Sequence, residues 1–345
     1  MTTYQMAFIP SPGKIEFRSM PIRDPGPDEV LIKVKTAAIC GSDLHLFKGK
    51  HPSVSLPSAV GHELAGEIVK LGKDVSEFSE GDRVTVEPVI NCGKCVYCQH
   101  GDYNLCKNIS FQYRKGQGAF TEYFYAPKNR TYKIPDNLTF EEGTLIEPLS
   151  VALHAVKQSG IRVGQSSVII GAGAIGLLVS MLLNNLTGIR PFVMDINQFR
   201  IQKASDLGAY GVLPHKDEGL EEIVMRHTAG LGVDHAFEAV GMEATLTQAL
   251  QVIKKGGKVT LLGIFEEPNP RIPVNLFVQR EISICGSQGY AWDFQDSIQL
   301  AVDGRIKLSE LVTTRLPFEQ LLNGFDLLCQ PANNQIKVLI ENNIS

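Results

Sequence analysis

The segment Ser167-Val168-Ile169-Ile170-Gly171-Ala172-Gly173-Ala174-Ile175-Gly176 decides the fold. A short β-branched run leads into Gly-x-Gly-x-x-Gly, and an apolar stretch of helix length follows. Each glycine answers a physical demand. Gly171 makes a tight turn, Gly173 lets backbone approach a pyrophosphate, and Gly176 lets the helix pack close to the strand. The helix N-terminus adds partial positive charge for the phosphates. Asp195 stands nineteen residues beyond Gly176, at the end of the next strand. A carboxylate there accepts hydrogen bonds from both ribose hydroxyls and repels a 2′-phosphate, so the expected cofactor is NAD in preference to NADP. Arg200 either stacks on adenine or pairs with a phosphate. Ile175 inside the loop and Gly263 after a later strand complete the candidate cofactor contacts.

Outward from this loop, strand-like and helix-like runs alternate. Strands are expected at 167–170, 191–194, 211–213, 235–239, 258–262 and 281–285, with helices at 198–207, 220–228 and 244–253. That alternation predicts an α/β fold with a doubly wound parallel sheet, a Rossmann coenzyme domain over 149–285. Residues 1–148 have another texture, with short β-branched runs such as 30–34, 67–71, 83–86 and 120–125 between turn signals like Asp24-Pro25-Gly26-Pro27. They predict a β-rich domain, and 286–345 is a tail expected to return to it. Residues 163–189 carry no charge, which on hydropathy alone resembles a membrane span. The three glycines interrupt it where a helix would have to continue, so strand, turn and buried helix is the reading.

The chain has 345 residues, 43% apolar and 20% charged, values of a globular protein of about two domains. Lysine plus arginine number 33 and aspartate plus glutamate 37, a net charge of -4. This near balance supplies no global field for nucleic acid or an anionic membrane, so neither is an expected partner. Pro10, Pro12, Lys14, Glu16 and Arg18 interrupt residues 1–20, which are not read as a signal peptide.

Seven cysteines occur, four of them as Cys92-x2-Cys95-x2-Cys98-x7-Cys106. Without a secretory signal, such crowding predicts a metal site and a reduced, cytoplasmic protein. Four thiolates suit a closed tetrahedral zinc, hence a structural one in a lobe over 92–106. A second set is looser: Cys40 in Cys40-Gly41-Ser42-Asp43-Leu44-His45, His62 and Glu63 in Gly61-His62-Glu63-Leu64-Ala65-Gly66, and Glu147 before Pro148. Thiolate, imidazole and carboxylate together can hold zinc and leave one position open for water or a substrate oxygen.

Gly61-His62-Glu63-x2-Gly66-x5-Gly72-x2-Val75 resembles the zinc signature of the medium-chain alcohol/polyol dehydrogenases. The Cys40-Gly41-Ser42-Asp43 segment, Gly81-Asp82-Arg83-Val84, the four-cysteine lobe and the glycine loop follow that family's order along nearly the whole chain. The resemblance implies a GroES-like catalytic domain, a Rossmann coenzyme domain and an active site in the cleft between them. It implies catalytic zinc on Cys40 and His62, with Glu63 or Glu147 as third protein ligand, or the two exchanging. A glutamate at 147 is similar to the branch of sorbitol, threonine, butanediol and sugar-acid dehydrogenases. The resemblance further implies a proton relay through Ser42 and His45, and a homodimer or homotetramer.

Within that branch, Leu46 and Gly289 stand where sorbitol dehydrogenases tend to have tyrosine and arginine. The expected substrate is a polyol, vicinal diol or sugar acid, oxidised at a secondary alcohol to the ketone. L-threonine and sugar-alcohol phosphates are the alternatives. A non-catalytic NAD- and zinc-binding protein is the reading of another class. Lys48, Lys50, His51 and Arg114 are candidate anion contacts, read first as solvated loop residues. His154 is assigned to packing, while His51, His100, His215, His227 and His235 are read as loop or surface residues. Tyr290 is read as pocket lining or hinge packing.

Overall fold

A computed structural model of the chain describes residues 2–214, 219–330 and 334–342. It divides into two units, Met1–Glu147 with Phe294–Ser345, and Pro148–Asp293.

In the second unit six strands run parallel, in the spatial order Tyr210–Val212, Phe192–Met194, Ser167–Ile170, Val233–Glu238, Ile253–Leu261, Ser283–Gly286. Numbered along the chain this is 3-2-1-4-5-6, the doubly wound order, and the α/β expectation holds. The order reverses between Ser167–Ile170 and Val233–Glu238, and the glycine loop leaves the sheet there. Helices Ala174–Leu182, Gln198–Asp206, Leu220–His227 and Glu243–Val252 connect the strands. Asn197 starts the second of them, its side chain accepting from the Phe199 and Arg200 amides.

Central strands covered on both faces leave no solvent side, and this corrects the reading of His235. It lies buried in Val233–Glu238, with Nε2 3.2 Å from Gln165 Oε1. His215 lies outside the described residues. The uncharged stretch resolves into the strand Ser167–Ile170, the glycine turn, the helix Ala174–Leu182 and a π-helical turn Leu183–Thr187 that Gly188 closes at φ +68°. Among the described residues no helix is long and apolar enough to cross a membrane.

The first unit is β-rich. Its largest sheet places Thr131–Lys133, Arg83–Val86, Glu63–Leu71, Glu29–Ala38, Lys337–Glu341 and Val312–Pro317 side by side, with Tyr123–Pro127 also paired to Glu29–Ala38. Strand Glu29–Ala38 sets core residues Val30, Ile32 and Val34 against more exposed Lys33 and Lys35, while Leu31 on the other face is buried in a second cluster with Tyr4, Met6 and Tyr125. Phe120, Phe124, Phe325, Val338 and Ile340 close the core over it. The run expected at 120–125 begins as a strand only at Tyr123, because Ala119 and Phe120 donate to the Gly61 and Val60 carbonyls in a close crossing. A Cβ on Gly118 would lie 2.1 Å from Val60 O, so only glycine fits there.

Two placements matter for the site. The antiparallel pairing of Leu339 with Ala38 brings the C-terminal strand beside the segment that precedes Cys40. The second unit ends at Asp293, because its carboxylate holds His154 Nδ1 at 2.8 Å and Lys157 Nζ at 2.7 Å on the helix Ile146–Ser159.

Candidate active site

Cys92, Cys95, Cys98 and Cys106 are brought together, their sulfurs all within 4.8 Å of one another. Sulfur–sulfur distances of 3.6 Å (Cys95–Cys98), 3.9 Å (Cys95–Cys106) and 4.0 Å (Cys92–Cys98) are far too long for disulfides. They match the edge of about 3.8 Å expected for a tetrahedron with Zn–S bonds of about 2.3 Å. Backbone amides already point at the sulfurs: Cys92 N and Asn108 N each donate to Cys106 Sγ at 3.3 Å. Amides of Cys98 and Lys107 pull the Cys95 thiol down to about 6, whereas burial pushes Cys106 up to about 11. The donor set fits a structural zinc.

Cys40, His62 and Glu63 form the second cluster, with one donor atom of each within 4.8 Å of the others. Local structure explains the convergence. Cys40 caps the short helix Gly41–Phe47, and its amide donates to Asp43 Oδ2 at 3.0 Å. The other oxygen of Asp43 accepts from Gly61 N at 3.2 Å, which ties the loop before His62 to that helix. Glu63 then opens the strand Glu63–Leu71. Ser42 and His45, three residues apart, share one face of the helix.

Glu147, buried in the first turn of Ile146–Ser159, is not part of that 4.8 Å group. Its charge nevertheless raises the pKa of Lys337, a residue that sequence reading missed. Lys337 Nζ donates to both oxygens of Glu63 at 2.7 Å and to Ile39 O at 3.3 Å, fully buried. Burial pushes this ammonium down, and Glu63, Cys40 and Glu147 outweigh it.

Whether these residues fit a cation can be read from the charges. Three buried carboxyl groups (Asp43, Glu63 and Glu147) stand against one buried ammonium. Burial pushes the His62 imidazole down, yet Asp43 and Cys40 hold it well above its ordinary value, so the locality favours positive charge. His62 Nδ1, 3.5 Å from Asp43 Oδ1, is buried without a hydrogen bond. A divalent metal fits.

The glycine loop fits a dinucleotide. Gly171 has φ +103°, and a Cβ on it would meet Val240 at 2.7 Å. A Cβ on Gly176 would lie 1.8 Å from Gly171 O, so the helix packs where only glycine allows. Gly173, at the helix N-cap, has open space in front of it, and Ile175 lies in the first turn beyond. Asp195 accepts from Ala172 N at 2.8 Å and Asn197 N at 2.9 Å, with Arg200 4.0 Å away. The carboxylate is thereby held at the mouth of the loop. Gly263 is explained by packing, since a Cβ there would lie 2.2 Å from Gly241 N.

Residues 26–136 match the alcohol dehydrogenase GroES-like domain, and residues 174–303 match the zinc-binding dehydrogenase family. Sorbitol dehydrogenase of Bacillus subtilis is 33% identical, over 95% of this chain and 94% of that protein. The chain belongs to the zinc-type medium-chain alcohol/polyol dehydrogenases. As a member it is a zinc-containing oxidoreductase acting on CH–OH groups. Among solved members, 2R,3R-butanediol dehydrogenase of Bacillus subtilis superposes with a TM-score of 0.88 at 33% identity, covering 99% of this chain and 100% of that one. An Escherichia coli oxidoreductase of unknown specificity superposes at 0.93 with 32% identity, over the same shares of the two chains.

Two signals for this dehydrogenase's unread residues were present. Lys337 interrupts an apolar strand, Ile336-Lys337-Val338-Leu339-Ile340, where a lysine is buried only if paired. Asp43 stands three residues after Cys40, the reach from an N3 side chain back to the amide of the N-cap residue.

Proposed function

We propose that this chain oxidises a secondary alcohol of a polyol, vicinal diol or sugar acid to the ketone, with NAD as hydride acceptor. One observation carries the reading: Cys40, His62 and Glu63 converge within 4.8 Å where buried carboxyl groups outnumber ammonium groups. When bound, zinc supplies Lewis acidity to the substrate hydroxyl, and NAD supplies the acceptor for hydride.

The remaining tasks belong to side chains. Cys40 and His62 hold the metal, and Glu63 and Glu147 share the third protein position. Lys337 engages both oxygens of Glu63 and so favours Glu147 as the resting carboxylate. Ser42 Oγ accepts the hydroxyl proton as it releases its own, and the His45 imidazole, one helical turn away, takes the released proton and passes it towards solvent. Gly171, Gly173 and Gly176 give the pyrophosphate access to backbone amides, while Asp195 accepts from the ribose hydroxyls.

The test is a panel of polyols, vicinal diols, sugar acids, sugar-alcohol phosphates and threonine, with NAD and with NADP, before and after treatment with a chelator. Chelator-sensitive NAD reduction, restored by zinc, is expected. Silence across the panel with zinc and NAD both bound would remove the substrate class. In the same assay Asp195→Ala should lower the NAD-to-NADP ratio of kcat/KM by about 10- to 100-fold, the loss of charge-assisted hydrogen bonds. An unchanged ratio would take Asp195 out of its role.

We further propose a homodimer or homotetramer built on the sheet edge of the second unit. Strand Ser283–Gly286 is terminal in its sheet, and Val274 and Val278 nearby are 62% and 79% exposed. A monomeric mass by light scattering at micromolar concentration would exclude it.

A further inference from the structure

Two stretches of the first unit, 44–62 and 103–121, contain no aspartate or glutamate, although acidic residues outnumber basic ones 37 to 33 in the whole chain. They carry His45, Lys48, Lys50, His51, Arg114 and Lys115 among others. The fold lays them against each other. Ala119 N donates to Gly61 O, and Arg114 Nη2 donates to Ser53 Oγ at 2.7 Å. The result is a basic surface whose inner end is the metal cluster.

The path from that cluster outward is short and built of rings. His62 lies 5.9 Å from the ring of Tyr113 and 6.5 Å from that of Phe111, centre to centre. Those two rings stack on each other at 5.6 Å with 22° between their planes. The Arg114 guanidinium sits 5.8 Å from the Phe111 centre. The imidazole of the cluster and the guanidinium are therefore both neighbours of one ring, that of Phe111. Stacking and the Ser53 bond pre-orient the Arg114 fork, which lowers the entropy cost of using it.

Arg114 forms no ion pair among the described residues, unlike Arg130 with Glu87 or Arg315 with Glu141. Only one of its five N–H donors is spent on Ser53. His51 is arranged alongside. Its Nδ1 accepts from Ser53 N at 3.2 Å, which leaves Nε2 as the nitrogen that carries a proton. Burial pushes the His51 pKa down, and the nearby Arg114, His45 and His62 push it further against the opposing charge of Asp43.

We propose that Arg114, with His51 and Ser53, forms a subsite for an anionic end group, a phosphate monoester or a carboxylate, on the polyol whose hydroxyl reacts at the Cys40–His62–Glu63 cluster. The proposal rests on the function proposed above and restricts the substrate to a polyol with an anionic end, a sugar acid or a sugar-alcohol phosphate. Planar bidentate pairing of guanidinium with phosphate or carboxylate supplies the recognition.

The experiment uses the zinc-loaded full chain and matched sets of each pentitol or hexitol, its terminal phosphate and its aldonate. Turnover with NAD reports on the proposed function, and calorimetric binding of the same compounds reports on the subsite. The wild type is expected to favour one anionic member over its neutral parent by at least about tenfold, and which member it favours distinguishes phosphate from carboxylate. Arg114→Ala should lower that ratio by about 10- to 100-fold, chiefly through KM, and Arg114→Lys should recover part of it. Arg114-dependent binding without turnover would support the subsite while removing the proposed reaction. Equal use and equal binding of neutral and anionic members, or a ratio untouched by Arg114→Ala, would overturn the subsite.

Discussion

Lys337→Met is expected to destabilise the metal-free protein by about 3–5 kcal/mol, the cost of leaving one partner of a buried ion pair uncompensated. The geometry is demanding: Lys337 is 3% exposed, Glu63 is 0% exposed, and the ammonium meets both carboxylate oxygens at 2.7 Å. Glu63 would keep no cation within hydrogen-bond reach. The double variant Lys337→Met with Glu63→Leu should recover most of the loss, because two apolar groups of similar volume replace the pair without stranding a charge. Denaturant unfolding of the two single variants and the double variant measures the coupling directly. Additive losses would mean that the pair is not the source of the effect. Zinc gives a second readout. With metal present Glu63 has another cation to satisfy, so the Lys337→Met penalty should shrink as zinc is titrated in. A penalty indifferent to zinc would place Glu63 outside the metal's reach.

The same pair marks the limit of what the chain discloses when read locally. The glycine loop, the four cysteines and the Cys40 and His62 segments are short-range patterns: each spacing is dictated by a turn, a helix end or a tetrahedron, and each can be read in isolation. Lys337 and Glu63 are 274 residues apart, and two antiparallel registers bring them together: Lys337–Glu341 on Glu29–Ala38, and Glu29–Ala38 on Glu63–Leu71 with Ala38 opposite Glu63. No periodicity within either segment encodes those registers. His235 was misread for a related reason. It reads as a loop or surface residue, but both faces of a central parallel strand are covered, so parity carries no information about exposure. Phe120 shows a third case, in which backbone crossing at Gly61 overrides a β-branched and aromatic run.

The four-cysteine lobe should respond to substitution in the opposite manner, by losing an ion and a fold together. Cys95→Ser is expected to reduce bound zinc from about two equivalents to about one and to abolish hydrogen-exchange protection across 92–106. In small zinc-folded modules the metal contributes about 10–16 kcal/mol of apparent binding free energy, so removing one ligand unfolds the lobe instead of loosening it. The lobe has little else: its helix Val96–His100 is five residues long with no buried residue, and besides Cys106 only Tyr103 and Asn104 of the turn Tyr103–Leu105 are buried in it. Its anchorage runs through Arg130, whose guanidinium lies 4.3 Å from the centre of the Tyr103 ring. Arg130 donates to Glu87 Oε1 at 2.6 Å and to Asn91 Oδ1 at 2.7 Å, and Asn91 Nδ2 donates to Cys98 Sγ at 3.3 Å. Glu87 is fully buried and also accepts from the Tyr132 hydroxyl at 3.0 Å, so protection around Glu87 and Arg130 should survive while that of the lobe is lost. Cys329→Ser, at a half-buried thiol packed against the core of the first unit, should keep both ions and serves as the control. Retention of two zinc equivalents by Cys95→Ser, with unchanged exchange over 92–106, would mean that the four sulfurs converge without holding a metal.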